Sequence, residues 1–177
     1  MPPNIICDRR LLIDRLRPSA GFIQWLDGIG YFQAPSSVNH HGNWPGGLYA
    51  HSVMVAETLN MFTEKLNLQW DRPQSPWIVG LLHDICKTDD YIWRNDPINP
   101  DIRYNPNKFM DGHGTKSVAM LRGHFDLTEQ EKQCIIHHMG AFTDKSEWNA
   151  YSQACAKDQN VLYTHTADMV ASQVKGI

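Results

Sequence analysis

The sequence predicts an all-α protein: a compact helical bundle in a single domain, with a long polar loop near residues 88–112. Three observations lead to that class. Apolar residues recur at helical spacing in several segments, two segments carry clear helix-start signals, and alternating patterns rich in Val, Ile and Thr are nowhere sustained. A chain of 177 residues buries roughly 70% of its unfolded surface on folding, enough for a core without staples. A composition of 42% hydrophobic and 20% charged residues argues against extensive disorder.

Residues 11–26 read as two short helical pieces parted by Pro18 and Ser19, with Leu12, Leu16, Phe22, Ile23 and Leu26 facing inward. Residues 28–47 read as a loop rich in glycine and proline, with Asn39, His40, His41 and Asn43 between the breakers. Residues 48–66 form a helix with Val53, Ala56, Leu59 and Phe62 near one face. In the next helix Ser75 is the expected cap and Pro76 sits in the first turn, where its missing N–H costs nothing. The apolar run 77–82 is buried on most sides.

Residues 88–112 contain Pro97, Pro100 and Pro106 and read as an excursion with at most short helices, a lid or a disordered segment. A helix begins near Thr115. Another opens on Thr128-Glu129-Gln130-Glu131, which fits a capping box. The last helix is expected over residues 157–174. Residues 1–45 form an N-terminal helical extension and loop, and residues 46–177 the core.

The net charge is −3, from 16 basic and 19 acidic residues, so no global positive field exists to hold a long nucleic acid. A nucleotide or other small phosphoester stays compatible, because a bound cation reverses the local sign. Four scattered cysteines without CxxC spacing suit a reducing compartment. The start resembles no secretory signal and no run approaches a membrane span, so a cytoplasmic protein is expected. A homodimer is left open.

Nine histidines draw attention, less by number than by placement. His51, His83 with Asp84, His113, His137 and Asp168 follow one another at intervals of 32, 30, 24 and 31 residues. Each interval spans about one helix and its connection, so a bundle can turn all of them toward one interior site. Singly, each has a plainer reading: His51 as a packed core residue, Asp168 as a buried acceptor, His113 as a turn residue, Lys87 as a surface lysine. Jointly, a buried cluster of His and Asp without compensation would cost several kcal/mol. Oxygen and nitrogen ligands of this kind suit two divalent ions from the Fe, Mn, Co and Ni group, with Zn also compatible. Such a pair activates water and clamps phosphoryl oxygens, and Lys87, one turn after His83, is placed to meet a phosphate oxygen.

The segments GGLYAHSVMVAE, WIVGLLHDICK, GHG, IIHHMG and HTADMVAS, in this order, resemble the HD-domain superfamily of metal-dependent phosphohydrolases over roughly residues 46–174. The resemblance implies a helical core in which His51, His83, Asp84 and Asp168 bind a first metal. It further implies that His113 and His137 complete a second site bridged by Asp84, as in the two-metal branch. Lys87 matches a phosphate-contacting lysine, and Asp84, Lys87 and His138 are the expected catalytic group, His138 serving a third metal, touching substrate or hydrogen-bonding behind the ligands. Cys86 stands where many relatives carry Gly. The segment after His138 lacks the Gly-Tyr-Pro element of the cyclic-di-GMP enzymes, which counts against that substrate.

The expected reaction is therefore hydrolysis of a phosphomonoester or phosphodiester of a nucleotide, cyclic nucleotide or short oligonucleotide. Two alternatives stand beside it: a mixed-valent di-iron oxygenase of the same superfamily, and a non-catalytic nucleotide-binding module. Tyr91, Trp93, Arg94, Arg103, Tyr104 and Lys108 are candidates to meet a base or phosphate, and His40, His41 and Trp44 to line the mouth of the site.

Overall fold

The computed structural model describes residues 9–94 and 101–177. Its elements run α1 Arg9–Leu16, α2 Ala20–Gly28, α3 Gly47–Leu66, α4 Ser75–Leu82, α5 Lys87–Asp90, β1 Tyr91–Arg94, β2 Asp101–Tyr104, α6 Gly114–Leu121, α7 Glu129–Ile136, α8 Trp148–Lys157 and α9 Gln159–Met169. Two 3-10 turns, Gly140–Phe142 and Lys145–Glu147, precede α8, and a π-helical turn Val170–Lys175 follows α9. The all-α class holds. Among the described residues, no helix is long and apolar enough to cross a membrane.

Helix α4 is the centre of the bundle. Every residue from Ser75 to Leu82 is buried, and it packs against α1, α3, α7 and α9. Its contact with α3 is close because Gly80 has no side chain: a Cβ there would lie 2.3 Å from the Ala56 Cα. That approach brings the faces bearing His51 and His83 together. Leu12, Leu16, Phe22 and Leu26 of α1 and α2 join the same apolar cluster as Val55, Leu59, Ile78, Leu82 and Ile135, so the N-terminal helices share the core.

Thr128 builds the expected capping box: its hydroxyl accepts from Glu131 N–H while the Glu131 carboxylate accepts from Thr128 N–H. Ser75 departs from expectation. Gln74 is the cap residue of α4, and the Ser75 hydroxyl instead donates to Glu131 Oε1 at 2.7 Å. The reason is the buried carboxylate itself, a stronger acceptor demand than a helix end that Pro76 already relieves.

The loop near residues 88–112 also differs. It contains an antiparallel hairpin in which Tyr91 pairs with Tyr104 and Arg94 with Asp101, where only short helices were expected. Four-residue strands are too short to register as a period, and the aromatic pair Tyr91 and Tyr104, centroids 5.7 Å apart, supplies a cross-strand contact. Pro97 and Pro100 lie outside the described residues. The helix expected over residues 157–174 is α9, capped by Asp158 accepting from Asn160 N–H and continued by the π turn; α8 precedes it in a stretch where no helix was expected.

Candidate metal centre

Five elements converge at the base of one cavity. His51 lies on α3, His83 ends α4 with Asp84 just beyond it, His113 caps α6, His138 follows α7, and Asp168 sits near the end of α9. Asp84 is the hub. Its Oδ1 is 2.7 Å from His113 Nε2 and 3.3 Å from His138 Nε2; its Oδ2 is 3.4 Å from His83 Nε2, 3.6 Å from His51 Nε2 and 2.6 Å from Lys87 Nζ. Asp168 Oδ1 lies 3.1 Å from His51 Nε2.

The imidazoles share a second feature. His51 Nδ1 donates to the Ile177 carbonyl at 2.8 Å, His83 Nδ1 to Gly80 at 2.8 Å, and His138 Nδ1 to Ile135 at 2.7 Å. A carbonyl only accepts, so each Nδ1 carries the proton and each Nε2 presents a lone pair. All three Nε2 atoms are buried and none makes a hydrogen bond. They approach carboxylate oxygens without aligning on them. An unsatisfied buried polar atom costs about 1–3 kcal/mol, and three lone pairs gathered around the Asp84 carboxylate suit cations that accept them. Backbone acceptors behind ligating imidazoles are the usual way a tautomer and ring plane are fixed. The residues present therefore fit metal ions: His51, His83 and Asp84 converge in one group, Asp84, His113 and His138 in another, and His83, His138 and Asp168 in a third.

The electrostatics agree. Burial favours a neutral Asp84, but the Lys87 ammonium and the His113 ring bonded to it hold its carboxyl well below the usual range. Lys87 is buried, yet Asp84 beside it raises its pKa and keeps it charged. His113 is pulled down by burial and pushed up by Cys86 and Asp84, ending at about 9.

One residue expected as a ligand lies outside the cluster. His138, not His137, enters the cluster. Neighbouring residues at a helix end point about 100° apart, and α7 ends at Ile136 with the inward direction falling on His138. Helix α6 sits closely on this helix end: a Cβ on Gly114 would lie 2.3 Å from the Ile135 carbonyl oxygen. On the other side His165 Nδ1 donates to the His138 carbonyl at 2.8 Å. His137 turns the opposite way, toward Tyr151 and a separate cavity of about 500 Å3 between α7 and α8. His138→Ala is therefore expected to lower metal bound per chain, and His137→Ala to leave it unchanged, when both are counted by elemental analysis.

The cavity above the cluster measures about 710 Å3, within the range of small-molecule sites. Asp84, Lys87, His113 and Asp168 form its floor, with Ser36, Ser37, His40 and His41 on one wall and Tyr91, Met139, Phe142 and Gln173 on others. Of the hairpin candidates only Tyr91 joins it. Tyr104 and Lys108 border a smaller neighbouring cavity of about 210 Å3, Arg103 pairs with Asp101 on the surface, and Trp93 packs over Gly30. Arg94 is exposed, and Trp44 does not reach the cavity. Ser36, Ser37, Met139 and Phe142 carried no sequence signal that marked them in advance.

The HD domain family model matches residues 48–171. The chain belongs to the HD-domain family. Comparison with curated proteins and with solved structures gave no match. The matched span takes in all six convergent residues and Lys87, and this HD domain thus falls within a superfamily of metal-dependent hydrolases.

Proposed function

We propose that this HD domain is a two-metal phosphohydrolase acting on a phosphomonoester or phosphodiester of a nucleotide, cyclic nucleotide or short oligonucleotide. The observation that carries the reading is the set of buried Nε2 lone pairs ringed around Asp84 at the floor of a cavity that also holds a buried, charged lysine. His51, His83, Asp84 and Asp168 would hold one ion and Asp84, His113 and His138 the other, each drawn from Fe, Mn, Co or Ni. Bound there, such ions supply a water of lowered pKa and Lewis-acid neutralisation of phosphoryl charge.

The chain's own residues do the rest. Lys87 presents its ammonium at the cavity floor to meet a non-bridging phosphate oxygen. The carbonyls of Gly80, Ile135 and Ile177 keep three rings oriented without rearrangement during turnover. Tyr91, Met139 and Phe142 offer apolar and aromatic surface against which a base can stack.

The test is an anaerobic assay of purified protein, stripped and reloaded with Mn, Fe(II), Co or Ni, against nucleotides, cyclic dinucleotides and short oligonucleotides. Cleavage restored by metal is the expected result. Full metal loading without cleavage of any phosphoester, accompanied by iron-dependent oxygen uptake, would overturn it in favour of the oxygenase alternative.

A further inference from the structure

The loop before α3 is built around one residue that the metal centre does not use. The Ser36 hydroxyl donates to the His41 carbonyl at 2.6 Å, and the Ser37 hydroxyl to the same oxygen at 2.8 Å. Ser37 Oγ also accepts from His40 N–H at 2.9 Å, and Ser36 N–H donates to the Gly42 carbonyl at 2.9 Å. Both serines are buried. Gly42 has φ +63, and a Cβ there would overlap the Ser36 side chain; Gly47 closes over it with equal tightness, since its own Cβ would meet the Gly42 carbonyl oxygen. Four hydrogen bonds and two side-chain-free contacts thus fix the backbone on which one imidazole hangs.

That imidazole is half-buried in the cavity wall, its centroid 5.1 Å from the His51 ring. Among the described residues it belongs to none of the convergent ligand groups, and no hydrogen bond to either ring nitrogen is formed. An imidazole hung on so firmly fixed a backbone, at the cavity wall and with no protein partner on either ring nitrogen, is arranged for something that enters the cavity.

We propose that His41 is a substrate-contacting residue, donating a hydrogen bond to an oxygen of the phosphoryl group bound on the floor of this cavity, from the wall formed by the loop over residues 36–46. This rests on the phosphohydrolase reading for the identity of the ligand. Lys87 meets the same group from α5, so the two residues grip it from different elements. His41 positions the phosphoryl group and is not a metal ligand.

The experiment measures binding of inorganic phosphate, the product common to every phosphomonoester, to metal-loaded wild-type protein and to His41→Ala and His41→Gln, by titration calorimetry without turnover. Bound metal is counted in parallel. A hydrogen bond to a charged group corresponds to roughly a 10- to 100-fold change in affinity. His41→Ala is expected to weaken phosphate by about tenfold or more with metal content unchanged, and His41→Gln, which keeps a donor, to recover part of it. Unchanged phosphate affinity in His41→Ala, loss of metal in that variant, or absence of phosphate binding to the wild type would each overturn the proposal. Because the readout is binding, phosphate held by a protein that cleaves no ester would count against the hydrolase reading while leaving the His41 contact standing.

Discussion

Asp84→Asn is expected to lower hydrolysis by well over 100-fold and to strip both ions at once. Loss of a group that merely supports a ligand costs about 10- to 100-fold, and Asp84 is placed as the shared ligand itself, with four Nε2 atoms and Lys87 Nζ all within 3.6 Å of its oxygens. Asparagine keeps the volume and removes the charge. The effect reaches stability as well. In chelator, Lys87 loses the carboxylate 2.6 Å away while its side chain remains only 10% exposed. Removing one partner of a buried pair typically costs about 3–5 kcal/mol. Urea unfolding of the metal-free variant should show a loss approaching the lower end of that range, since the amide oxygen still accepts one hydrogen bond. A variant of wild-type activity and metal content would remove Asp84 from its central place.

Glu131→Ala is the largest stability change expected away from the centre. Glu131 is fully buried, and its carboxylate accepts four hydrogen bonds: Arg72 Nε at 2.8 Å, Arg72 Nη2 at 2.7 Å, Ser75 Oγ at 2.7 Å and Thr128 N–H at 2.9 Å. It thereby ties the start of α7 to the start of α4, the helix that ends on His83. Truncation strands a buried hydroxyl, leaves the Arg72 guanidinium without its bidentate partner and opens half of the capping box. A loss of about 2–4 kcal/mol is expected by denaturant titration, from the lost charge-assisted hydrogen bonds and half of the cap. The fraction that stays folded should bind metal normally, because the ligands sit at the far end of both helices. A loss below about 1 kcal/mol would mean that water replaces these contacts readily.

These two residues also mark how far the sequence could be read. The capping box of Thr128 and Glu131 was legible because it is local: four residues, a hydroxyl and a carboxylate, immediately before an apolar run. That the same carboxylate also answers Arg72 and Ser75, 59 and 56 residues away, was not, since no spacing encodes it. Of the six residues expected as ligands, His51, His83, Asp84, His113 and Asp168 come together because intervals of about one helix and one turn carry them to a common side of a bundle. His137 stays outside that cluster. Choosing between His137 and His138 requires the residue at which α7 stops, and helix ends are the least determined feature of a sequence. The end of α7 also carries a tertiary contact that no local pattern encodes, the close seat of Gly114 on the Ile135 carbonyl. The hairpin of β1 and β2 was hidden for a related reason: Tyr91-Ile92-Trp93-Arg94 is one strand repeat too short to separate from a polar loop. The Ser36 and Ser37 clamp on His41 depends on hydroxyls that look like ordinary loop residues until the loop is closed.

Anomalous diffraction from crystals loaded with Mn or Fe(II) decides whether the buried Nε2 atoms of His51, His83 and His138 are ligand atoms. The expected result is two anomalous peaks flanking Asp84, with His51, His83 and Asp168 around one and His113 and His138 around the other. Loaded crystals with no peak in this cluster, or a peak coordinated by His137 in place of His138, would contradict the account.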